Sequence, residues 1–323
     1  MKDIHEQLTK YLTDAHSIEE QALSQLKRAP DIAGEPRLAA MLREHYGQTE
    51  GHESRVKRLL EARDASPSRG KDAVMWLGGK GFLAFAWSQP DTPGKLATHA
   101  LSYEALEWAS YDLLARTAEA AGEAEVAREA RGIRDEERVM MKRLESVFDA
   151  TADASLEKVD SADFQDTLGT YLADAHAIEA QSIQLLESAV EHLEEQPDLR
   201  AAFAEHLEES RTQQKLLEQR LDAHGGKPSR LKDAALRFGA VNWGTFFAGH
   251  PDTSGKIAAF AYAVEFLEIG GYEHLLRVAR RAGATETVSA VERIIAQERA
   301  AAEKIAGLFD AAVRVALAEQ GAG

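Results

Sequence analysis

The second half of this chain repeats the first, and this duplication constrains the architecture more than any other feature of the sequence. Residues 11–19 read YLTDAHSIE, and residues 171–179 read YLADAHAIE, an offset of 160 residues. From Pro36 and Pro197 onward the offset is 161 residues. Solenoid repeats are only about 20 to 50 residues long, so a period of this length indicates two tandem domains.

Each copy has the pattern of a four-helix bundle. Apolar residues recur with helical periodicity in four segments, which in the first copy cover about residues 3–29, 36–63, 93–120 and 123–149. The second and third segments are joined by a much longer connection than the others, which is typical of ferritin-like folds. Between the copies lies a small, polar, acidic stretch. The sequence therefore predicts an all-α protein with ferritin-like bundles at 1–150 and 164–323 and a linker at 151–163.

The long connection carries an apolar segment in both copies. In the first copy this segment covers residues 72–87 and includes Trp76, Phe82 and Trp87, and the second copy has Phe238 and Trp243 in the corresponding region. We expect a short helix there that covers the bundle or forms a surface for homo-oligomers. An interfacial membrane anchor is the alternative, but the flanks are not markedly basic, so it is disfavoured.

Composition excludes several classes of protein. A formal net charge of -16 argues against nucleic-acid binding, because phosphate contacts need clustered Lys and Arg. The chain has no Cys, which excludes thiolate metal sites and iron–sulfur clusters and fits a reducing compartment. An apolar run of ~20 residues, as a transmembrane helix needs, is absent, and so is a signal-peptide pattern. We therefore expect a cytoplasmic protein, with the duplication favouring intramolecular pairing of the two bundles.

Histidine recurs three positions before an acidic or amide residue on the first two predicted helices of each copy. Residues three apart share one face of a helix. The third and fourth helices each carry one acid inside an apolar stripe. Because the middles of antiparallel helices lie at one level, we expect these side chains to converge in the core. The set comprises His16, Glu19, His45, Gln48, Glu107 and Glu137 in the first copy and His176, Glu179, His206, Glu209, Glu268 and Glu298 in the second.

Such a gathering of acids needs positive charge. Each buried carboxylate carries a desolvation cost of several kcal/mol and repels its neighbours, so protons or a cation must neutralise the group. Carboxylate and imidazole are the donors of two-metal bundles and suit iron or manganese, and zinc less specifically. All members of the set except His16 and His176 are predicted metal ligands. Tyr111 and Tyr272 follow the third-helix acids by one turn and are expected to bond a carboxylate.

Five further candidates have open roles. His16 and His176 border the core, so a hydrogen-bonded structural histidine is as good an interpretation as a ligand. Glu104 and Glu265 lie one turn before the central acids of the third helix, as bridging ligands or as half-exposed salt-bridge partners. His52 lies two turns beyond the second-helix histidine of the first copy and is a supplementary ligand candidate.

The two copies differ at the predicted site. Gln48 in the first copy corresponds to Glu209 in the second, and His52 corresponds to Gln213. An amide is a weaker metal ligand than a carboxylate. The sequence therefore predicts that the second copy holds metal more tightly.

Both copies resemble the YciE/YciF family of ferritin-like proteins over nearly all residues outside the linker. The resemblance rests on Asp-Ala-His-x-Ile-Glu at 14–19 and 174–179, on the helices of His45 and His206, on Glu-x-x-Glu at 104–107 and 265–268, and on a late acid in each fourth helix. It implies a four-helix bundle, metal binding, dimeric assembly and a link to bacterial stress responses. Ferritins and rubrerythrins place Glu-x-x-His on helices 2 and 4 instead, so the resemblance implies metal binding more firmly than ferroxidase activity.

Two functional hypotheses follow. The first is a di-metal protein that oxidises iron(II) with oxygen or peroxide under stress. The second is a non-catalytic stress or scaffold protein whose bundles are free of metal and whose buried acids pair with histidine and arginine. Arg134 and Arg293, near the fourth-helix acids, are the expected arginine partners in that case.

Overall fold

The computed structural model describes residues 4–65, 91–225 and 253–319. This part of the chain is helical and divides into two compact units, with the boundary in the sequence between Glu157 and Lys158. The predicted all-α architecture of two tandem bundles is confirmed. The apolar segment predicted at 72–87 and its counterpart in the second copy lie outside the described residues. Within the described ranges, no helix is long and apolar enough to cross a membrane.

Unit 1 is built from four long helices. Helix α1 packs on α3 and α4, and α5 packs on α4 and α3, which closes the bundle around one core. The short α2 connects α1 to α3, and α6 packs against α4 after the fourth long helix. The helices are α1 (Ile4–Leu26), α2 (Ala29–Ile32), α3 (Pro36–Glu61), α4 (Thr92–Ala120), α5 (Ala124–Glu145) and α6 (Phe148–Leu156).

Unit 2 repeats this arrangement. Helix α7 packs on α8 and α9, α10 packs on α9 and α8, and α11 occupies the place that α6 has in unit 1. A short 3₁₀ turn at Ser161–Asp163 leads into α7. The helices are α7 (Phe164–His192), α8 (Pro197–Ala223), α9 (Thr253–Arg281), α10 (Thr285–Gly307) and α11 (Phe309–Glu319).

Proline and glycine set the helix boundaries that the sequence predicts. Pro36 is the first residue of α3, and the Glu35 side chain before it accepts a hydrogen bond from the Leu38 amide at 2.6 Å. Gly122 and Gly283 follow α4 and α9 with φ of +74° and +67°. Glycine adopts this left-handed conformation without a steric penalty, so the chain can reverse into the fourth helix of each bundle.

The predicted linker differs from the observed chain path. Residues up to Leu156 continue as α6, whose Thr151 and Ala152 are buried, and the Ser155 hydroxyl accepts a hydrogen bond from the Gly94 amide at 2.9 Å. Small side chains let this helix approach α4 closely. The small, polar composition that suggested a linker is therefore the composition of a close helix contact, and the unit ends at Glu157.

The apolar core of unit 1 lies next to a group of buried acidic side chains. Leu8 and Leu12 of α1 pack with Leu60 of α3 and Ile133 of α5 in a layer that is almost completely buried. Tyr111 of α4 belongs to the same layer, and its hydroxyl donates to the Glu19 carboxylate. The tyrosine thus connects the apolar layer to the acidic cluster, as the sequence predicted, and Tyr272 donates to Glu179 in the same way in unit 2.

Candidate metal centre

Six ionisable side chains meet in the core of unit 1, and all four long helices contribute to the group. Each is at most 3% exposed. Helical periodicity explains the placement, because residues three, four or seven apart lie on one face and point at the same interior region. The cluster consists of Glu19 from α1, His45 and His52 from α3, Glu104 and Glu107 from α4, and Glu137 from α5.

Glu137 lies between the two histidines of this cluster. Its Oε1 atom is 2.7 Å from His52 Nδ1, and its Oε2 atom is 3.6 Å from His45 Nε2. The two imidazole rings are 6.4 Å apart between centroids. His45 Nε2 also lies 2.9 Å from Glu104 Oε2, and His52 Nδ1 lies 3.8 Å from Glu19 Oε1. One carboxylate therefore turns an oxygen toward each of two separate imidazoles.

The donors fall into two groups that share Glu137. In one group, atoms of His45, Glu104, Glu107 and Glu137 all lie within 4.8 Å of one another. In the other group, atoms of Glu19, His52 and Glu137 meet the same criterion. Two adjacent sets of oxygen and nitrogen donors joined by one carboxylate are the arrangement that a pair of metal ions uses.

Glu107 shows that the polar cluster is not satisfied by the protein alone. Its side chain is 1% exposed, and neither carboxylate oxygen has a hydrogen-bond partner among the described residues. Buried polar groups in folded proteins nearly always have a partner, and leaving one without costs about 1–3 kcal/mol. Two unbonded oxygens beside imidazole and carboxylate donors fit a cation, so the residues present suit a metal.

Protons neutralise the cluster when no metal is bound. Burial raises the pKa of Glu19 to about 8 and that of Glu104 to about 7, and it raises the pKa of Glu107 well above its usual value. Burial alone would lower the pKa of the histidines, but neighbouring carboxylates outweigh it and raise the pKa of His45 to about 10 and of His52 to about 9. A divalent cation would replace these protons.

Glu137 is the exception among the acids. Burial would raise its pKa, but the contacts with His52 and His45, together with the hydrogen bond from Glu104, outweigh burial and lower it. Glu137 is therefore an anion at the centre of the cluster, with an imidazolium on either side.

Unit 2 keeps one of the two donor groups. His206 Nε2 lies 2.9 Å from Glu265 Oε1, and atoms of His206, Glu265 and Glu298 lie within 4.8 Å of one another. Glu179 and Glu268 are also at most 1% exposed. Burial raises the pKa of Glu179 to about 8 and those of Glu268 and Glu298 well above their usual value, while nearby carboxylates outweigh burial and raise the pKa of His206 to about 9.

The second donor group of unit 1 is changed in unit 2. Gln213 stands where unit 1 has His52, and its Nε2 donates to Gln297 Oε1 at 3.4 Å. Gln297 in turn stands where unit 1 has Glu136. In unit 1 that glutamate accepts from His52 Nε2 at 2.8 Å. A charged pair has become a pair of neutral amides.

Gln48 and Glu209, both predicted ligands, lie outside the buried clusters. Gln48 Oε1 is 3.1 Å from His45 Nδ1, and Glu209 Oε2 is 3.4 Å from His206 Nδ1. The Glu209 side chain is 45% exposed. The spacing of three does put each pair on one face, but the inner nitrogen Nε2 points at the cluster and the outer Nδ1 at the neighbouring turn. From these positions both residues contact the outer nitrogen of an imidazole, as groups that orient a metal ligand do. Tighter metal binding by the second copy stays a prediction.

His16 and His176 also lie apart from the clusters. His16 Nε2 is 3.0 Å from Glu53 Oε1, and His176 Nε2 is 3.3 Å from Glu218 Oε1. His16 forms a group with Glu53 and the exposed Glu20, but acids at the surface commonly gather without an ion. Neither histidine belongs to a buried cluster, and each contacts a glutamate.

The arginines expected to pair with the clustered acids either bind an acid outside the clusters or are exposed. Arg134 Nη1 donates to Asp112 Oδ1 at 2.7 Å, and Arg293 is exposed. In the described parts of the chain, the ion pairs of the clustered acids are formed with histidine. The residue that sequence reasoning missed is Glu136, which contacts His52 and also Arg55 Nη2 at 2.9 Å. The sequence feature that could have indicated an acidic partner here is Arg55, which lies one turn after His52 on the same face of α3.

The family model described as "Domain of unknown function (DUF892)" matches residues 3–157 and again residues 163–318. The chain belongs to the DUF892 family. DUF892 is a ferritin-like family, and the two separate matches show that the duplication is a tandem repeat of one DUF892 domain. No solved structure matches the chain.

The second DUF892 repeat has a cavity of about 210 Å³ between α8 and α10 that reaches His206. Its mouth lies beside the exposed ion pair of Lys304 and Glu205. Its wall includes Ala202 and Ala301. This opening reaches the second cluster at His206 and its neighbour Glu209.

Larger side chains stand at the equivalent positions of the first repeat, where Met41 and Met140 are buried. We expect Met140→Ala to destabilise the first repeat by about 2–5 kcal/mol, because it leaves a cavity. The reciprocal Ala301→Met should cost nothing or stabilise the second repeat, because the methionine enters existing space. Urea denaturation of both variants gives the two values. Equal destabilisation by the two changes would show that the cavity does not accept a side chain.

The stability of the metal-free protein should fall as pH rises. The folded state holds Glu19 and Glu104 protonated up to about pH 8 and 7, whereas the unfolded chain loses these protons near 4.5. His45 and His52 keep their protons up to about pH 10 and 9 in the folded state, against 6.5 unfolded. Between the unfolded and the folded pKa of each group, the folded state binds more protons than the unfolded chain. Each group therefore contributes its full stabilisation below its unfolded pKa, and this contribution is lost as pH rises through its folded pKa.

Chemical denaturation in the presence of a chelator, between about pH 6 and pH 9, measures this dependence, and each pKa unit corresponds to about 1.4 kcal/mol. Glu137, whose pKa is lowered, acts in the opposite direction, but only below its unfolded value of 4.5. His52→Gln should reduce the slope of the free energy of unfolding against pH. A stability that is constant or rises with pH would contradict the protonation of the cluster.

Proposed function

We propose that this DUF892 protein binds divalent iron or manganese in the buried clusters of its two repeats. The observation that carries the proposal is the carboxylate of Glu137, which faces His45 with one oxygen and His52 with the other. Around it, Glu107 has both oxygens unbonded among the described residues. Ion pairs within the protein do not explain a fully buried acid without a partner, whereas a bound cation would.

The first repeat offers six donors for two neighbouring ions. His45, Glu104 and Glu107 would hold one ion, His52 and Glu19 the other, and Glu137 would lie between them. Oxygen and imidazole donors without thiolate favour iron or manganese, with zinc as a less specific occupant. Iron or manganese would supply one-electron chemistry. The chain contributes the anionic ligands, the exclusion of water by the apolar layer, and Tyr111, which holds Glu19 in place.

With iron(II) as substrate, oxidation by oxygen or peroxide is the reaction that we propose. The cavity on the second repeat would admit a small oxidant, since it leads from the surface to His206. The specific relationship to the YciE/YciF proteins, a cytoplasmic location and a role in stress belong to the same proposal. The competing function is a metal-free scaffold in which histidine and protons alone neutralise the acids.

Metal analysis of the chelator-stripped and reconstituted protein decides between the two functions. We expect the parent to retain manganese(II) or iron(II) after gel filtration in stoichiometric amounts, and Glu137→Gln to lose the metal of the first repeat. The matched control is Glu125→Gln on the same helix, because the Glu125 side chain is 75% exposed and belongs to neither cluster. Circular dichroism of each variant verifies folding. Retention of no metal by a folded parent protein would favour the scaffold.

A further inference from the structure

We propose that the two repeats are not equivalent and that the chain binds three ions, two in the first repeat and one in the second. This inference rests on the proposed metal-binding function and adds the number of ions at each centre. The structure supports it by two fully buried donor groups in the first repeat and one in the second among the described residues.

The ion position that both repeats share is the one at the first histidine of the second long helix. In the first repeat His45 Nε2 lies 2.9 Å from Glu104 Oε2, and in the second His206 Nε2 lies 2.9 Å from Glu265 Oε1. In both repeats the late acid of the fourth helix belongs to the group. Identical distances at equivalent atoms indicate that this position is retained in both copies.

The other position is complete only in the first repeat. There His52 faces Glu137 with Nδ1 at 2.7 Å and Glu136 with Nε2 at 2.8 Å. Arg55 contacts Glu136 from outside at 2.9 Å. This chain of contacts fixes the orientation of the imidazole, so Nδ1 is directed at the cluster. A ligand held by such an outer contact is preorganised for metal binding.

The second repeat has replaced three residues of that chain of contacts and keeps Glu298 at the position of Glu137. His52 is replaced by Gln213, Glu136 by Gln297, and the position of Arg55 by Leu216. The Gln213 Nε2 group donates to Gln297, and an amide nitrogen has no lone pair for a metal. Its neutral oxygen is a weaker donor than imidazole. The changes at contacting positions are matched to each other, as expected when a metal position is replaced by a hydrogen bond between amides.

Manganese(II) alone is the probe that tests this inference. Native mass spectrometry of the chelator-stripped full chain, titrated with manganese(II), counts the ions. We expect saturation at three ions for the parent. The double variant His52→Gln, Glu136→Gln, which copies the second repeat into the first, should bind two.

The reciprocal variant Gln213→His, Gln297→Glu restores both partners in the second repeat and should bind four ions. Because this variant is expected to gain an ion, the inference can still be tested if the first variant does not fold. Electron paramagnetic resonance gives an independent readout. The parent should show the signal of one isolated manganese(II) per chain, from the second repeat. In the reciprocal variant this signal should be replaced by that of a coupled pair of ions.

The possible counts separate the two proposals. Four or two ions in the parent would overturn the count of three while leaving metal binding intact, and a reciprocal variant that still binds three would overturn the assignment of the missing position to Gln213 and Gln297. Absence of any tightly bound ion would instead overturn the proposed function itself.

Discussion

Replacing Glu107 with leucine should stabilise the metal-free protein by about 1–3 kcal/mol and reduce the stabilisation of the first repeat by manganese(II), because one of its two ion positions loses a ligand. The Glu107 carboxyl group is buried, and among the described residues neither oxygen is hydrogen-bonded. Burial raises its pKa well above the usual value. Leucine has a similar size and no polar atom, so it removes the cost of an unbonded buried group.

Few substitutions of a buried charged residue are expected to stabilise a protein, because most deletions leave another group without its partner. Glu107 differs, since no described group depends on it for a hydrogen bond. A stabilising effect would show that Glu107 serves to bind a ligand and that it lowers the stability of the metal-free folded protein.

Urea denaturation with chelator and with manganese(II) measures both effects in one series. Glu107→Gln is the matched control, because it keeps the shape and the unbonded polar atoms and so should give little apo stabilisation. Glu268→Leu makes the same change in the second repeat. Destabilisation of the chelated protein by Glu107→Leu would show that the carboxyl group already has a stabilising partner.

Saturating manganese(II) should raise the melting temperature of the first repeat more than that of the second. A ligand at one hundred times its dissociation constant stabilises the folded state by about 2.7 kcal/mol per site. Two ions would therefore contribute about 5 kcal/mol to the first repeat, against about 2.7 kcal/mol from one ion in the second. For domains of this size, each kcal/mol corresponds to roughly 2–4 °C.

Differential scanning calorimetry of the full chain, with chelator and with manganese(II), should resolve these shifts as two transitions that move by different amounts. Met140→Ala lowers the first transition and thereby assigns it, because that change affects the first repeat alone. Magnesium(II), a poor match for imidazole ligands, serves as the control ion. Equal shifts of both transitions, or none, would contradict two occupied positions around Glu137.

The fold could be predicted from the sequence because each copy is long and its apolar residues recur with helical periodicity. Pro36, Gly122 and Gly283 mark the predicted breaks, and the structure places each of them at a helix boundary. Burial of the central acids could also be predicted, since Glu107 and Glu137 interrupt apolar stripes. Both are at most 1% exposed. Helical periodicity assigns a face, and for these residues the face decides burial.

Periodicity does not decide which atom of a side chain points inward, and there the sequence prediction was incomplete. The spacing of three correctly paired His206 with Glu209, but the imidazole turns Nε2 to Glu265 and leaves Glu209 half-exposed. That choice depends on rings and rotamers of helices that are distant in sequence. The same applies to His52, whose contacts with Glu137 and Glu136 span more than eighty residues.

Anomalous diffraction at the manganese edge, from crystals grown with manganese(II), tests the central claim most directly. We predict two anomalous peaks in the first repeat, one on each side of the Glu137 carboxylate and next to His45 and His52, and one peak beside His206 in the second. Density without anomalous signal in either repeat, with the acids bonded only to histidine and to one another, would contradict a cation at the centre of these bundles.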